Sequence, residues 1–267
     1  MTPFTKAHAY GNDFLYVRDA DVRGHDLGRL ARRMCDRHAG IGADGLIVYE
    51  PAGGGAAMRL FNADGTAAEV SGNGVRGLAA ILLRDDTVSG RDVTIRSEGG
   101  VKALTRVGHD GARQTFRAAM GLPEDLREVS LTAGGEAIRA AVMTFGNPQC
   151  VVLGALPDDR RFAVLGPAIE QAPMFPRRTN VEFAVVEGPD RVRIRIWERG
   201  VGPTLSSGTG SCAALIAAAA FGGAARDAWV VAPGGTQRVE WRDDSVYLTG
   251  WAEITVDGVW LVAEPAT

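Results

Sequence analysis

A stretch of this chain occurs twice, 136 residues apart, and each copy ends in Ser-Gly-x-Gly. Met58 to Ala80 reads MRLFNADGTAAEVSGNGVRGLAA, and Ile194 to Ile216 reads IRIWERGVGPTLSSGTGSCAALI. The copies register without a gap: Arg59 on Arg195, Phe61 on Trp197, Ser71 on Ser207, Gly72 on Gly208, Gly74 on Gly210. An offset of about half the chain predicts two related halves rather than a short-period solenoid. The paired loops are expected to face each other across a pseudo-two-fold cleft and to present Ser71 and Ser207 to one substrate. That layout suits a reaction with a group on each face of one carbon.

A chain of 267 residues has room for two ordinary domains. The pattern breaks near Met120-Gly121-Leu122-Pro123. This places an N-terminal half at 1–118, joined by the last strand at about 255–267, and a C-terminal half at 119–254. The net charge of −3 and pI near 5.9 give no electrostatic footprint for nucleic acid or an anionic membrane. No N-terminal stretch resembles a signal peptide, and the Ala-rich run Cys212 to Ala225 is too short and too broken by glycine to span a bilayer. Cys35, Cys150 and Cys212 are odd in number and form no CxxC, which fits a reducing cytoplasm with the thiols as small buried hydrophobes.

Apolar runs and alternation predict strands at 14–17, 46–49, 58–61, 93–96, 101–106 and 115–119. In the second half they predict strands at 140–145, 150–153, 181–186, 192–197, 247–249 and 260–262. Helices are expected at 25–37, 73–83, 165–171 and 207–221. Many short strands with few helices and no regular alternation argue for α+β.

Gly72-Asn73-Gly74-Val75-Arg76-Gly77 satisfies GxGxxG, and Gly208-Thr209-Gly210-Ser211-Cys212-Ala213 satisfies GxGxxA. A dinucleotide site needs a buried strand running directly into the first glycine, and here a polar loop intervenes in both copies. The same glycines serve better as bare helix starts, whose free N–H groups and dipole attract anions. Two of them can hold a carboxylate and stabilise the charge that develops as a proton leaves. For a single copy, an ordinary serine N-cap is the simpler explanation. Duplication, with Asn, Glu and Arg in the same loops, favours a site. Gly11-Asn12-Asp13-Phe14, Asn62-Ala63-Asp64-Gly65, Gly146-Asn147-Pro148 and Thr179-Asn180 are turns, and Glu198-Arg199 follows a strand. The four histidines have no metal-ligand spacing, so no metal site is expected.

Taken together, these residues resemble the diaminopimelate epimerase family over nearly the whole chain. The likeness rests on Gly11-Asn12-Asp13-Phe14, Asp36-Arg37-His38 with Gly40-Ile41-Gly42-Ala43-Asp44-Gly45, and Phe61-Asn62-Ala63-Asp64-Gly65. It continues in Gly72-Asn73-Gly74-x-Arg76, Gly146-Asn147-Pro148, Glu198-Arg199-Gly200-x-Gly202 and Gly208-Thr209-Gly210, all in family order. The resemblance implies two pseudo-symmetric α+β domains with the active site in the interdomain cleft. It implies interconversion of LL- and meso-diaminopimelate, a step of lysine biosynthesis, without any cofactor. One cysteine thiolate removes the α-proton while a second, protonated cysteine serves the opposite face. Those cysteines fall at Ser71 and Ser207, a frequent histidine falls at Gln149, and a common cysteine at Gly77. Substrate contacts implied by the resemblance are Asn12, Asn62, Gly72, Asn73, Asn147, Asn180, Glu198, Arg199, Gly208 and Thr209. The implied partners are an amino-acid substrate and a second copy of the chain in a cytoplasmic homodimer.

Serine for cysteine leaves three readings open: a working epimerase with activated serines, an isomerase of another substrate, and a catalytically silent amino-acid-binding protein. An engineered cysteine-to-serine trap would have no reason to change positions 77 and 149 as well.

Overall fold

The order of elements repeats itself. In a computed structural model that describes residues 1–69 and 71–261, the chain opens with β1 (Thr2–Ala9), β2 (Asn12–Arg18), α1 (Leu27–Cys35), β3 (Gly45–Ala52) and β4 (Gly55–Asn62). It continues through β5 (Ala67–Ala68), α2 (Gly72–Arg84), β6 (Asp92–Ser97), β7 (Gly100–Asp110) and β8 (Arg113–Ala119). The second pass runs β9 (Glu124–Ala133), β10 (Glu136–Thr144), β11 (Pro148–Leu153), α3 (Asp159–Glu170), β12 (Asn180–Gly188) and β13 (Arg191–Glu198). It ends with β14 (Gly202–Thr204), α4 (Gly208–Phe221), β15 (Asp227–Ala232), β16 (Gly235–Trp241) and β17 (Val246–Trp260). The chain divides into two compact units, Met1–Ala118 with the segment from Trp251, and Ala119–Gly250.

In the first unit the strands close on themselves in the order β17–β1–β2–β3–β4–β6–β7–β8 and back to β17. Helix α2 packs on β1, β2, β6 and β7, and every residue from Asn73 to Leu83 is buried. Apart from Asn73 and Arg76 the buried stretch is apolar or glycine, and the helix forms the centre of a core with Tyr16, Ile47, Ile95 and Phe116. Full burial of Leu78, Ile81 and Leu82 contributes roughly 1.5–3 kcal/mol each. Helix α1 is amphipathic and places only Leu30, Ala31, Met34 and Cys35 against a separate cluster with Leu15, Leu46 and Val48.

The second unit has the same plan. Its strands run β9–β10–β11–β12–β13–β15–β16–β17. Met120 and Gly121, just before β9, exchange backbone hydrogen bonds with Val246. Helix α4 packs on β10, β11, β12, β13, β15 and β16. Its sequence, GTGSCAALIAAAAF, supplies small side chains that an enclosed helix needs, and Cys212 to Ala218 are fully buried.

The α+β expectation holds, with two differences. Strands β2 and β3, and β4 and β6, are parallel pairs whose connections carry α1 and α2, so strand–helix–strand crossovers do occur. The strand expected at 247–249 lies within one long strand, β17, which ends at Trp260, so of the strand expected at 260–262 only Trp260 belongs to it; residues 262–267 lie outside the described residues. No helix among the described residues is long and apolar enough to cross a membrane.

Candidate active site

Ser71 is the N-cap of α2, with extended backbone (φ −126°, ψ 123°), and its Oγ accepts from the Gly74 N–H at 3.1 Å. Ser207 is the N-cap of α4 with nearly the same backbone (φ −135°, ψ 128°), and its Oγ accepts from the Gly210 N–H at 3.2 Å. The sequence repeat is therefore a repeat of local geometry. In each case the first two helical amides, Gly72 and Asn73 or Gly208 and Thr209, have no partner within the helix. The helix dipole and the amide on Oγ both favour negative charge at the serine oxygen.

In the first unit a chain of side chains leads to this helix start. Asn73 Nδ2 donates to Asn12 Oδ1 at 3.2 Å, and Arg76 Nη1 donates to Asn73 Oδ1 at 3.2 Å. Asn12 Nδ2 in turn donates to Asp44 Oδ2 at 2.7 Å. Asp44 and Asp13 share the Arg37 guanidinium, and Lys6 Nζ lies 2.9 Å from Asp13 Oδ2. Burial pushes the Asp13 carboxyl up, but hydrogen bonds from Arg37 and Lys6 outweigh it and hold the group below its ordinary pKa. Asn62 stands apart, exposed, with its amide on Thr66 Oγ1 at 3.0 Å. Asn12 and Asn73 are thus brought together, and Asn62 serves the Asn62-Ala63-Asp64-Gly65 turn.

In the second unit the groups differ. The Glu198 carboxyl lies beside the hydroxyls of Thr204 and Ser207; burial raises its pKa and those hydroxyls offset part of the rise. Asn180 is buried and uses both ends of its amide on backbone, Nδ2 to the Pro148 carbonyl at 3.3 Å and Oδ1 from the Arg199 N–H at 2.9 Å. It fixes the turn that carries the exposed Arg199, whose Nη1 reaches the Arg177 carbonyl at 3.3 Å. Gln149 is buried against Asn147, with their side-chain amides hydrogen-bonded.

Three contributors escaped the sequence reading. Glu170 accepts from Trp197 Nε1 at 2.8 Å and from the Gly200 N–H at 2.9 Å, pinning the turn after Glu198. Glu182 is wholly buried beneath α4, where any Cβ at Gly210 would stand 2.6 Å from its Oε1. Tyr16 donates to the Gly74 carbonyl at 3.0 Å. Charged residues within apolar runs, such as Val181-Glu182-Phe183, were the available signal. No group of residues suited to hold a metal ion occurs among the described residues.

Known proteins share both sequence and fold with this chain. The diaminopimelate epimerase family profile matches residues 4–124 and 141–255. The chain belongs to the diaminopimelate epimerase family. A diaminopimelate epimerase of Desulforudis audaxviator is 41% identical over 277 residues, covering 97% of this chain and 99% of that protein. Among solved structures, a predicted epimerase of Pseudomonas aeruginosa is similar with a TM-score of 0.75 at 15% identity, covering 98% of this chain and 100% of that one. A probable proline racemase of Agrobacterium radiobacter, solved with carbonate, has a TM-score of 0.72 at 17% identity, covering 98% of this chain and 94% of the other. These two likenesses concern fold. As a member of the diaminopimelate epimerase family, this chain has in each unit a serine-capped helix start with polar residues gathered around it.

Proposed function

We propose that this protein is a cofactor-independent isomerase that interconverts LL- and meso-diaminopimelate by removing and returning the α-proton. The observation that carries the reading is the matched pair of helix starts, each with a serine oxygen held by the third amide of its helix. Ser71 and Ser207 stand where the family resemblance places the catalytic cysteines, and we assign proton transfer to them. Substrate binding falls to Asn12, Asn62, Gly72, Asn73, Asn147, Arg199, Gly208 and Thr209, with Asn180 acting through Arg199. The three cysteines are buried and form no disulfide among the described residues, which supports a cytoplasmic location.

At neutral pH far less of a serine than of a cysteine is present as the anion that takes the proton. An alkanol is a weaker acid than a thiol by about five pKa units, on the order of 7 kcal/mol in the free energy of the active form. Glu198 offsets part of this for Ser207. As Ser207 Oγ takes the α-proton, its own proton passes to the Glu198 carboxylate, while Ser71 gives a proton to the α-carbon and recovers one from water. The charge left on the substrate is stabilised by the two helix starts. Glu198 must be ionised to accept, and burial raises its pKa, so exchange should fall as the pH drops through a value above the ordinary glutamate range. Glu198→Gln should remove that acid limb together with most of the rate.

The direct test is incubation with LL-diaminopimelate in deuterated water, with α-deuterium followed by NMR. Incorporation with conversion to the meso form supports the epimerase. A second reading, a silent amino-acid-binding protein, is favoured by the hydroxyls at both positions. Binding without any exchange would select it.

A further inference from the structure

Glu182 has no task in the reaction just described, yet it is a fully buried carboxyl in the same unit as Ser207. Its register partner on β13 is Ile196, so Glu182 and Glu198 lie on the same face of adjacent strands as diagonal neighbours. The groups facing it are the Gln149 amide of β11, the Glu198 carboxyl of β13, and Gly210 in the first turn of α4, while the Cys150 thiol lies on the other face of the sheet with Val181 and Phe183. None is a cation, and the Gly210 amide is engaged by Ser207 Oγ. A buried carboxylate in such surroundings is costly, and protonation removes the cost. Burial first, and Glu198 second, push its pKa well above the ordinary glutamate value.

The proton has a directional consequence. One amide atom of Gln149 lies 3.1 Å from Glu182 Oε1 and 3.2 Å from Oε2, and the other meets the Asn147 amide. Were Glu182 ionised, Gln149 would donate to it, its carbonyl would face the Asn147 NH2, and Asn147 would show its oxygen outward. With Glu182 protonated, its O–H donates to Gln149 Oε1, Gln149 Nε2 donates to Asn147 Oδ1, and Asn147 shows its NH2 outward. Asn147 is half-buried, so that outer atom is open to a ligand. We propose that Glu182 is a positioning residue, a buried carboxylic acid that acts through Gln149 to turn the Asn147 NH2 outward, where it recognises the carboxylate of an amino-acid ligand. The ligand class rests on the functional reading above; the orientation of the chain does not.

Two measurements test it. The infrared difference spectrum of wild type minus Glu182→Gln at neutral pH should contain a carboxylic acid C=O band that moves in deuterated water; absence of that band overturns the proposal. Calorimetry with LL-diaminopimelate should show Glu182→Gln binding within about twofold of wild type, because its amide can still donate to Gln149 Oε1. Glu182→Leu, which installs the residue found at position 46 of the other half, should bind about tenfold more weakly, the loss of one oriented hydrogen bond. Asn147→Ala should lose a similar factor, and Glu182→Leu with Asn147→Ala should lose no more than Asn147→Ala alone. Wild-type affinity in Glu182→Leu, or losses that multiply in the double variant, would reduce Glu182 to a packing residue. If wild type binds no diaminopimelate, the functional reading falls, and the infrared band alone decides the assignment of Glu182.

Discussion

Gly77 shows how one residue can be dictated by another far along the chain. A Cβ at this position would stand 2.1 Å from the Tyr16 Oη, which is held there by the Gly74 carbonyl. The family resemblance leads one to expect a cysteine at 77; here the phenol takes the space. Gly77→Ala should therefore destabilise the fold by about 2 kcal/mol, the usual cost of overpacking, and lower the Tm accordingly. Adding Tyr16→Leu should return part of the loss, since residues in contact do not act additively. A Tm unchanged in Gly77→Ala would show that Tyr16 moves aside freely. At this scale the sequence was informative where chemistry is local. Ser71 and Ser207 were legible as N-caps because the cap, the glycines and the helix are contiguous. Glu182 and Glu170 were not, because their partners, Gln149 and Trp197 with Gly200, lie 33 and about 30 residues away.

Among the elements, those that enclose α2 and α4 were the hardest to see. β1 has Ala7 and Ala9 on its buried side and no run of large apolar residues, since a strand wrapped on a central helix must leave room for it. β9, with Glu124, Asp125, Arg127 and Glu128, is largely exposed and reads as polar chain. β15 and β16 were missed although Ala228 to Val231 is apolar and Pro233-Gly234 marks a turn. The repeat itself held the answer, because β4 and β13 begin at 55 and 191, and the same spacing carries β6 at 92 to 228, within one residue of the start of β15. Another element-scale dependency is the hold of α3 on the end of β13. Glu170→Ala should leave the Trp197 and Gly200 donors without their acceptor and cost about 2–4 kcal/mol, read as a lower Tm. Ligand binding through Arg199 should weaken with it. Glu170→Gln, which keeps acceptor oxygen, should recover part of both.

Across the whole molecule, the two units share a frame but have diverged in chemistry. Positions 136 apart carry Leu46 and Glu182, Asp13 and Gln149, Asn62 and Glu198. The first unit holds its helix start with an ionic cluster of Lys6, Asp13, Arg37 and Asp44, and the second with amides and two carboxyls whose pKa burial raises. In the reaction proposed above Glu198 takes the proton of Ser207, so the two hydroxyls are not equivalent. If the serines limit the rate through their low acidity, restoring thiols should act unequally on the two sides. Ser71→Cys should give the larger single gain in α-proton exchange, because the proposed reaction assigns a carboxylate partner to Ser207 and not to Ser71, and Ser71→Cys with Ser207→Cys should exceed either by orders of magnitude. Adding Gln149→His restores the histidine that the family resemblance places here and should raise the rate again, since a nearby imidazole helps to form a thiolate, even though the Gln149 relay to Asn147 is given up. Exchange measured by NMR in deuterated water decides the matter. Should the folded triple variant bind diaminopimelate and still exchange nothing, proton transfer at 71 and 207 would be abandoned in favour of the binding protein.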